Sequence, residues 1–315
     1  MKNLEINIGK ACNNKCKFCM SINSIPEFLR FADFADLKND LIKYKKQGYD
    51  SLGFLGGEVT LYPKLVDLVN LAKELGFKEI HLITNGRNLK DMAYTQSLVE
   101  NGITRFSLSI HSHCAHVEDD LTQVPGGFKE KIQGLKNLLE LSNQGIIKKE
   151  ICLNLVVNKK NYQDLVKTFS FFSKLGVKNF RFNFMWPRGN ASQYFKELLL
   201  SYKDFLPYLK KLINLAKVLR VHLVFEGLPF CILKDFDQKE IKNYIGELLD
   251  FKTDVSDFNF DKKERYAFNW QERKKNELKE KRAECEKCFY NSICEGVWKE
   301  YIKFYGWEEF QPVIK

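Results

Sequence analysis

Three cysteines lie within eight residues near the start of the chain, in the stretch ACNNKCKFCM at residues 11–20. Cys12, Cys16 and Cys19 have the spacing C-x3-C-x2-C and follow a short apolar run, LEINI, at 4–8. Three thiolates in one loop can hold three corners of an iron–sulfur cube and leave the fourth iron without a protein ligand. A structural zinc site requires four protein ligands, and this loop has no histidine. The loop therefore favours an iron–sulfur cluster with one open coordination position.

The chain has nine cysteines, and the other six fall into a second group and three single residues: Cys285, Cys288 and Cys294, and Cys114, Cys152 and Cys231. The N-terminus, MKNLEINIGKAC, has no apolar signal region, and the apolar runs elsewhere are short and interrupted by polar residues. We therefore expect a cytoplasmic protein with no membrane partner. Because cytosolic thiols are kept reduced, the grouped cysteines indicate metal binding or redox chemistry rather than disulfides.

Composition narrows the class of protein further. The chain has 315 residues, of which 44% are hydrophobic and 29% charged, which is typical of a soluble globular protein with a large core. Its formal net charge of +10 permits an acidic partner. However, lysine and glutamate alternate through the helical stretches, as in NWQERKKNELKEKRAE at 269–284, and such mixing is typical of solvated helix faces. Nucleic acid is therefore not an expected partner.

Strand-like and helical patterns alternate along most of the chain. Apolar strand-like runs lie at 4–8, 51–55, 79–83, 105–110, 151–157 and 179–185, and helical patterns lie at 33–47, 63–76, 91–101, 126–143 and 161–175. This alternation predicts a parallel sheet of right-handed βα units. Runs as apolar as ICLNLVV favour strands that are buried on both faces. We expect an α/β fold, a partial (β/α)6 TIM-like barrel whose chemistry lies on the loops after the strands.

The pattern changes after about residue 200. A long helical stretch at 201–219 leads to VHLVF at 221–225, and residues 233–268 are polar and aromatic without a clear period. A charged helical pattern then precedes the second cysteine group. We expect a barrel domain at 1–225 and a small C-terminal extension that binds an iron–sulfur cluster at 226–315.

The second strand is followed by GGE, residues Gly56–Glu58, which by itself is typical of an ordinary strand-to-helix turn. Its context is more specific. The C-x3-C-x2-C loop after strand one, with the aromatic Phe18 before the last cysteine, and GGE after strand two together resemble the radical S-adenosylmethionine (SAM) enzymes. The resemblance covers residues 4–190.

The resemblance implies a role for each thiol of the first loop. Cys12, Cys16 and Cys19 would bind a [4Fe–4S] cluster whose fourth iron is chelated by SAM. An electron passed to the cluster would cleave SAM to methionine and a 5′-deoxyadenosyl radical, which takes a hydrogen atom from the substrate. The resemblance therefore implies an enzyme.

The resemblance also implies SAM contacts at six positions: Gly56, Gly57, Glu58, Ser109, Asn154 and Gly189. The GGE residues would meet the SAM amino group, because glycines let the backbone come close and a carboxylate accepts from an ammonium. Ser109 and Asn154 lie at the fourth and fifth strands and would contact the ribose. Gly189, in WPRGNA after the sixth strand, would lie on the adenine side. For Asn154 the alternative is a polar group that is satisfied inside the sheet.

The second cysteine group resembles the auxiliary-cluster extensions of the same superfamily, called SPASM and twitch. The SPASM pattern has a further cysteine four residues after Cys294, where this chain has Trp298. We therefore expect one auxiliary [4Fe–4S] cluster, held by Cys231, Cys285, Cys288 and Cys294, as in the twitch type. Two alternatives remain open. A structural zinc ion would accept the same four thiolates, and Cys231 could instead be a small buried hydrophobe.

The fourth strand is followed by HSHCAH, residues 111–116. In some members of the superfamily a cysteine at this place returns a hydrogen atom to the substrate radical, so Cys114 is a candidate hydrogen donor. The three histidines of this loop have loose spacing, which favours a polar, substrate-facing loop over a metal site.

These features predict a radical SAM enzyme that acts on a peptide, as in post-translational modification. The chain begins almost directly with strand one, without a leader-peptide recognition domain, so a peptide substrate would need another docking surface or a separate peptide-recognition protein. A flavodoxin or ferredoxin would supply electrons. An alternative substrate is a nucleoside, lipid or cofactor precursor. An alternative of another class is a non-catalytic zinc protein that binds nucleic acid.

Overall fold

The computed structural model describes residues 2–21, 30–246, 253–259 and 264–314, and a nine-stranded sheet forms its centre. The strands in chain order are β1 (Asn3–Asn7), β2 (Ser51–Leu55), β3 (Glu79–Thr84), β4 (Arg105–Ser109), β5 (Cys152–Val157), β6 (Asn179–Phe184), β7 (His222–Glu226), β8 (Thr253–Asn259) and β9 (Glu264–Asn269). Their spatial order is β7-β6-β5-β4-β3-β2-β1-β8-β9. All neighbours pair in parallel except β9, which is antiparallel to β8.

Helices connect the parallel strands. They are α1 (Phe34–Lys46), α2 (Leu65–Glu74), α3 (Met92–Asn101), α4 (Ala115–Thr122), α5 (Gly127–Asn143), α6 (Leu165–Lys174), α7 (Asn190–Gln193), α8 (Phe195–Leu198), α9 (Tyr202–Leu219), α10 (Gln238–Ile241), α11 (Trp270–Arg273) and α12 (Lys299–Tyr305). The six predicted strands are confirmed as β1–β6, and the fold is the predicted α/β partial barrel. In the described residues the sheet is open, with β7 and β9 at its edges. No helix described here is long and apolar enough to cross a membrane.

Several helices begin where a short polar side chain can cap them. The side chain of Asp33 accepts hydrogen bonds from the first backbone N–H groups of α1, and Asp91 does the same for α3. Ser201 caps the long helix α9. Such caps satisfy N–H groups that have no partner inside the helix, so local sequence fixes where these helices start.

The two faces of the sheet differ in polarity. On the outer face the ring of Phe169 in α6 packs against Phe180 and Phe182 of β6, with centroid distances of 4.5 and 6.2 Å. The residues of β6 that alternate with Phe180 and Phe182 point to the inner face, and they include Arg181 and Asn183. The expectation that strands as apolar as ICLNLVV are buried on both faces is wrong for β5, where Asn154 and Val156 are half-buried between buried neighbours, and β1, β3 and β6 alternate in the same way. An open barrel leaves its inner face accessible.

Two strands come from the part of the chain beyond residue 226. β8 pairs with the outer edge of β1, and β9 pairs with β8. Residues 226–315 therefore contribute to the main sheet, and a domain boundary at 225 stays a prediction. The continuous charged helix expected at 269–284 is wrong: α11 ends at Arg273, a π-helical turn follows, and β10 (Lys279–Glu280) pairs with β11 (Val297–Trp298). Buried ion pairs from Lys274 and Lys279 to Glu295 hold this segment out of a helix.

Helix α5 packs unusually closely on the turn after β3. A Cβ atom on Gly134, in the middle of α5, would lie 2.3 Å from the carbonyl oxygen of Gly86. Only glycine allows this approach, although glycine is a poor helix former. The turn that contains Gly86 contacts the candidate site described below, so the packing of α5 helps to place it.

We expect Gly134→Ala to lower the free energy of unfolding by about 1–3 kcal/mol, because the added methyl group clashes with backbone that cannot move away. Helix propensity alone would favour alanine by about 1 kcal/mol, so the sign of the change is informative. Chemical denaturation measures it. The control is Lys136→Ala, an exposed position of the same helix, with a change within about 0.5 kcal/mol. A stabilised Gly134→Ala variant would contradict the close approach.

Candidate functional site

The GGE motif lies directly against the chain segment that enters the cysteine loop. The N–H group of Gly57 donates to the carbonyl oxygen of Gly9 at 2.9 Å, and that of Glu58 donates to Ala11 at 2.7 Å. A Cβ atom on Gly57 would lie 2.3 Å from the oxygen of Ala11, and one on Gly56 would lie 2.2 Å from the oxygen of Gly9. The two glycines are therefore required by the packing of backbone on backbone.

The carboxylate of Glu58 is buried and accepts hydrogen bonds from four protein donors. Two come from the N–H and hydroxyl groups of Thr60, at 3.0 and 2.6 Å. The others come from the hydroxyl of Thr84, at 2.5 Å, and the N–H of Asn85, at 2.6 Å. Glu58 thus joins the loop after β2 to the turn after β3. Its contact with the SAM amino group stays a prediction.

The turn after β3 in turn holds the cysteine loop. The side-chain amide of Asn85 donates to the side-chain oxygen of Asn13 at 2.7 Å. The guanidinium of Arg87 donates to the carbonyl oxygen of Asn13 at 2.7 Å and to the side chain of Asn14 at 3.2 Å, while Glu130 of α5 pairs with it at 2.6 Å. The sequence analysis did not identify Arg87 as a site residue. The feature that could have indicated it is its position just after the end of a strand.

The C-terminal end of α4 holds the other side of the loop. The N–H groups of Lys15 and Lys17 donate to the carbonyl oxygens of Thr122 and Leu121, at 3.0 and 2.9 Å. These carbonyls have no partner inside the helix, so they are available to a neighbouring segment. The cysteine loop therefore completes the helix end, and the helix end fixes the loop.

Gly189 lies where the sixth loop meets the end of the cysteine loop. Its φ angle is 65°, which favours glycine, and a Cβ atom would lie 2.3 Å from the carbonyl oxygen of Met20. Two residues later, the N–H of Ala191 donates to the backbone carbonyl oxygen of Cys19 at 3.2 Å. The structure thus brings Gly189 to the cysteine loop, and its contact with adenine stays a prediction.

The three thiols of the loop form one electrostatic group. Backbone N–H groups donate to the sulfurs of Cys12 and Cys19, each at 3.4 Å. Burial is the main cause that raises the pKa of Cys16 to about 12; the charge of Lys131 opposes this rise, and the charges of Cys19 and Cys12 contribute to it. In the described ranges no three His, Cys, Asp or Glu side chains are placed to hold a single metal ion. Sulfur-only donors with N–H groups aimed at them fit an iron–sulfur cluster.

Ser109 and Asn154, the predicted ribose contacts, lie side by side. Their Cα atoms are direct partners in the pairing of β4 with β5. The side-chain oxygen of Asn154 accepts a hydrogen bond from the amide of Asn183, and the backbone oxygen of Ser109 accepts one from Lys131 at 2.9 Å. Both residues are half-buried. The position fits the predicted role, which stays a prediction.

Cys114 is exposed and directly precedes α4. The ring Nδ1 of the preceding residue, His113, is hydrogen-bonded to the hydroxyl of Thr168 in α6 at 3.0 Å. The cysteine loop contacts the opposite end of α4, about 12 Å away for a helix of this length. The role of Cys114 as hydrogen donor stays a prediction. His111 is buried, and its ring packs edge-on against the ring of Phe18 with a centroid distance of 4.4 Å. His111 therefore packs against the cysteine loop.

The four cysteines predicted for the auxiliary site line one cavity: Cys231, Cys285, Cys288 and Cys294. Burial is the main cause that raises the pKa of Cys231 to about 12, and the charges of the other three thiols contribute to this rise. The N–H groups of Gly296 and Val313 donate to the sulfurs of Cys294 and Cys288, both at 3.4 Å. This cavity therefore combines four sulfurs and N–H donors, as the first loop combines three.

Trp298, at the position where the SPASM pattern has a further cysteine, makes packing contacts. Trp298 is buried and stacks on Trp186, from the loop after β6, with a centroid distance of 4.7 Å. Trp186 also donates to Glu300 at 3.2 Å. The stacked pair connects the barrel rim to the segment that follows Cys294.

A parallel partial barrel with three thiols in the loop after β1 defines a class of cofactor-dependent enzymes. A sequence profile of the Radical SAM superfamily matches residues 6–180, more than half of the chain, and the chain belongs to this superfamily. Membership implies a [4Fe–4S] cluster and SAM. The predicted resemblance is thereby confirmed for the barrel.

Among curated proteins the chain is similar to a probable GTP 3′,8-cyclase of Saccharolobus islandicus, at 29% identity over 201 residues. The match covers 62% of this chain and 61% of that protein, so the chain spans less than two thirds of the relative's length. A probable GTP 3′,8-cyclase of Sulfolobus acidocaldarius is 27% identical over 196 residues, with 62% and 59% covered.

Among solved structures the chain is similar to Streptococcus suis SuiB bound to S-adenosylmethionine, with a TM-score of 0.66 and 18% identity. That match covers 99% of this chain and 76% of SuiB. The chain also resembles anSMEcpe with bound AdoMet and a peptide, with a TM-score of 0.54 and 18% identity over 68% of this chain and 59% of the other. At these identities the likeness shows the fold.

We expect Glu58→Gln to lower the free energy of unfolding by about 1–3 kcal/mol, because an amide nitrogen would replace an acceptor that faces buried donors. Chemical denaturation measures the change. The matched control is Glu74→Gln, an exposed acceptor of Asn70, which should change little. Unchanged stability with weaker SAM binding would contradict the bridging role and indicate direct contact with the cofactor instead.

Proposed function

We propose that this chain is a radical SAM enzyme that modifies a peptide, with a [4Fe–4S] cluster at Cys12, Cys16 and Cys19 and SAM at its open iron. The observation that carries the proposal is the cysteine loop itself, with three sulfurs on one short segment and GGE packed against its entry. When bound, these cofactors supply reductive cleavage of SAM and hydrogen-atom abstraction from a substrate.

The residues around the loop have three tasks. The thiolates hold iron, and the N–H groups of Asn14 and Ser21 stabilise negative charge on two of the sulfurs. Phe18, packed on His111, keeps water from one side of the loop. Gly56 and Gly57 let the backbone of the GGE segment pack against Gly9 and Ala11, which places this segment, the proposed contact of the SAM amino group, at the entry to the cysteine loop.

We propose a second cluster in the C-terminal cavity, with Cys231 as its fourth ligand. Its support is that the thiols of all four cysteines line one cavity and act electrostatically on one another. A structural zinc ion, which would accept the same four thiolates, is the alternative occupant of this cavity.

The charges near the barrel mouth favour a peptide over a nucleoside triphosphate. Four cations in this region are already paired with carboxylates: Lys17 with Asp120 and Glu197, Arg87 with Glu130, Lys131 with Glu118, and Arg181 with Glu226. A triphosphate carries several negative charges and requires unpaired cations. The likeness in fold to SuiB, whose structure was also solved with a precursor peptide, supports the same choice.

A nucleotide substrate is the second candidate. It is favoured by the similarity to probable GTP 3′,8-cyclases and by the exposed guanidinium of Arg188, which lies over the ring of Trp186. The partners that we propose for the peptide activity are a flavodoxin or ferredoxin as electron donor and a separate protein that recognises the peptide.

We expect Cys16→Ala to abolish SAM cleavage, because the first cluster loses one of its three ligands. The measurement is 5′-deoxyadenosine released by anaerobically reconstituted protein with dithionite and SAM. The matched control is Cys152→Ala, a buried cysteine in β5 that lies away from both cysteine groups, and it should retain cleavage. Cleavage in the Cys16→Ala variant, or zinc in place of iron in the unaltered chain, would contradict the proposal.

We expect Cys285→Ala to lower the bound iron from about eight atoms per chain to about four, while SAM cleavage persists without substrate. Iron and sulfide analysis measures the loss. Zinc with about four iron atoms in the unaltered chain would contradict the second cluster but leave the first intact.

The two substrate candidates are separated by direct incubation. Peptides encoded beside the gene, and GTP in a parallel reaction, are each supplied with SAM and dithionite, and products are identified by mass spectrometry. A peptide with altered mass supports the first candidate. Conversion of GTP, with every peptide unchanged, would contradict it.

A further inference from the structure

The outer edge of β9 is open to an added strand. β9 lies at one end of the nine-stranded sheet, and within the described residues no further backbone segment pairs with it. The opposite edge differs, because Phe225 of β7 forms a parallel bridge with Ile245. An edge strand presents a row of N–H and C=O groups, which proteins commonly protect with lysine, proline or a bulge. β9, with the sequence ERYAFN, has neither residue type, its pairing with β8 has no bulge, and Ala267 is exposed.

The two faces of β9 carry different side chains. Arg265 lies on the face that α1 covers, where its guanidinium pairs with Asp40 at 2.6 Å and donates to the carbonyl oxygen of Asn7 at 3.1 Å. Because successive side chains of a strand point to opposite faces, Tyr266 and Phe268 lie on the inner face of the sheet. Their rings are half-buried and stack with a centroid distance of 5.5 Å. The outer face therefore anchors the strand, and the inner face leaves ring surface accessible.

The rings of β9 continue to the rim of the barrel. Phe268 packs on Trp270 with a centroid distance of 6.3 Å, and Trp270 packs on Trp186, from the loop after β6, at 6.1 Å. Tyr266, Phe268, Trp270 and Trp186, which we call the aromatic strip, are all half-buried. The loop that contains Trp186 also contains Gly189, which packs on the end of the cysteine loop. The aromatic strip therefore leads from the open edge to the candidate site.

The cations on the aromatic strip favour an acidic ligand. The guanidinium of Arg273 lies 4.3 Å from the ring centroid of Phe268, and that of Arg188 lies 5.2 Å from the ring centroid of Trp186. Arg273 also pairs with Glu277 at 3.3 Å, whereas Arg188 is exposed and has no carboxylate partner among the described residues. The whole chain carries a formal charge of +10, so a second copy of it would be repelled from this edge.

We propose that an extended peptide with acidic side chains docks as an added strand on the outer edge of β9. Its backbone pairs with the outward N–H and C=O groups of β9, and its alternate side chains reach the inner face and contact the aromatic strip. Such pairing requires a polypeptide backbone, which a nucleotide lacks. This inference rests on the proposed function, because it assigns the docking surface on this chain for the peptide substrate.

Hydrogen exchange on the anaerobically reconstituted full chain tests the docking. The probe is a synthetic peptide of alternating glutamate and threonine, about ten residues long. We expect it to slow the exchange of the outward backbone amides of Glu264–Asn269, because these become hydrogen-bonded, and mass spectrometry measures this protection. The same peptide with lysine in place of glutamate should protect β9 less. No protection by the glutamate peptide, or equal protection by both peptides, would overturn the proposal.

Two variants assign the contacts on the aromatic strip. Phe268→Ala and Arg188→Gln should each weaken binding of the glutamate peptide by about two- to five-fold, measured by the fluorescence anisotropy of a labelled peptide. The matched controls are Phe304→Ala in α12 and Lys136→Gln in α5, both exposed, and they should leave the affinity unchanged. Arg188→Gln alters an exposed side chain, so it decides the matter if Phe268→Ala does not fold. An affinity that Arg188→Gln leaves unchanged would overturn the proposal.

Other results separate this inference from the proposed function. A dimer in sedimentation, with β9 protected in the absence of peptide, would show that a second copy occupies the edge and would overturn the inference. A chain that holds no iron, or that converts GTP and no peptide, would overturn the proposed function. A chain that holds iron, cleaves SAM and modifies a peptide without protection of β9 would overturn only this inference.

Discussion

The close approach of the GGE backbone to the residues that enter the cysteine loop is the constraint on which the site depends. The loop from 12 to 19 forms no helix or strand, and its own backbone supplies one turn, closed by the N–H of Cys19 and the carbonyl oxygen of Cys16 at 3.2 Å, so its position depends on neighbouring segments. Two hydrogen bonds, from Gly57 and Glu58, fix where the loop begins. They form only because neither Gly56 nor Gly57 has a side chain in the space that another backbone occupies.

Further supports converge on the loop because parallel strands end at the same edge of a sheet. The turn after β3, the C-terminal end of α4 and the segment after Gly189 each supply hydrogen bonds to the loop. Side chains connect the loops at this edge of the sheet to one another. Glu58 joins the loop after β2 to the turn after β3, and the buried Glu118–Lys131 pair holds the segment after β4. A rigid network of this kind can hold a reactive group in place without any contribution from the loop itself.

The C-terminal part is joined to the barrel through the sheet and through side chains. β8 and β9 extend the main sheet beyond β1, and the stacked rings of Trp186 and Trp298 join the loop after β6 to the segment that follows Cys294. The hydroxyl of Tyr301 also accepts from the N–H of Tyr202, and that of Tyr305 donates to the carbonyl oxygen of Leu199. Trp298, which stands where the SPASM pattern has a further cysteine, therefore makes a packing contact.

The sequence alone determined the strands β1–β6, the helices α1, α2, α3, α5 and α6 and the superfamily, because these follow from hydrophobic periodicity and from motifs that are local in the chain. It could not indicate β8 and β9, which are rich in polar residues and become strands because the edge of β1 offers hydrogen bonds. Nor could it show that Glu58 accepts from four donors, that Lys131 pairs with Glu118, or that Cys114 lies at the far end of α4. Those facts depend on which residues distant in sequence are brought into contact, and only tertiary packing decides that.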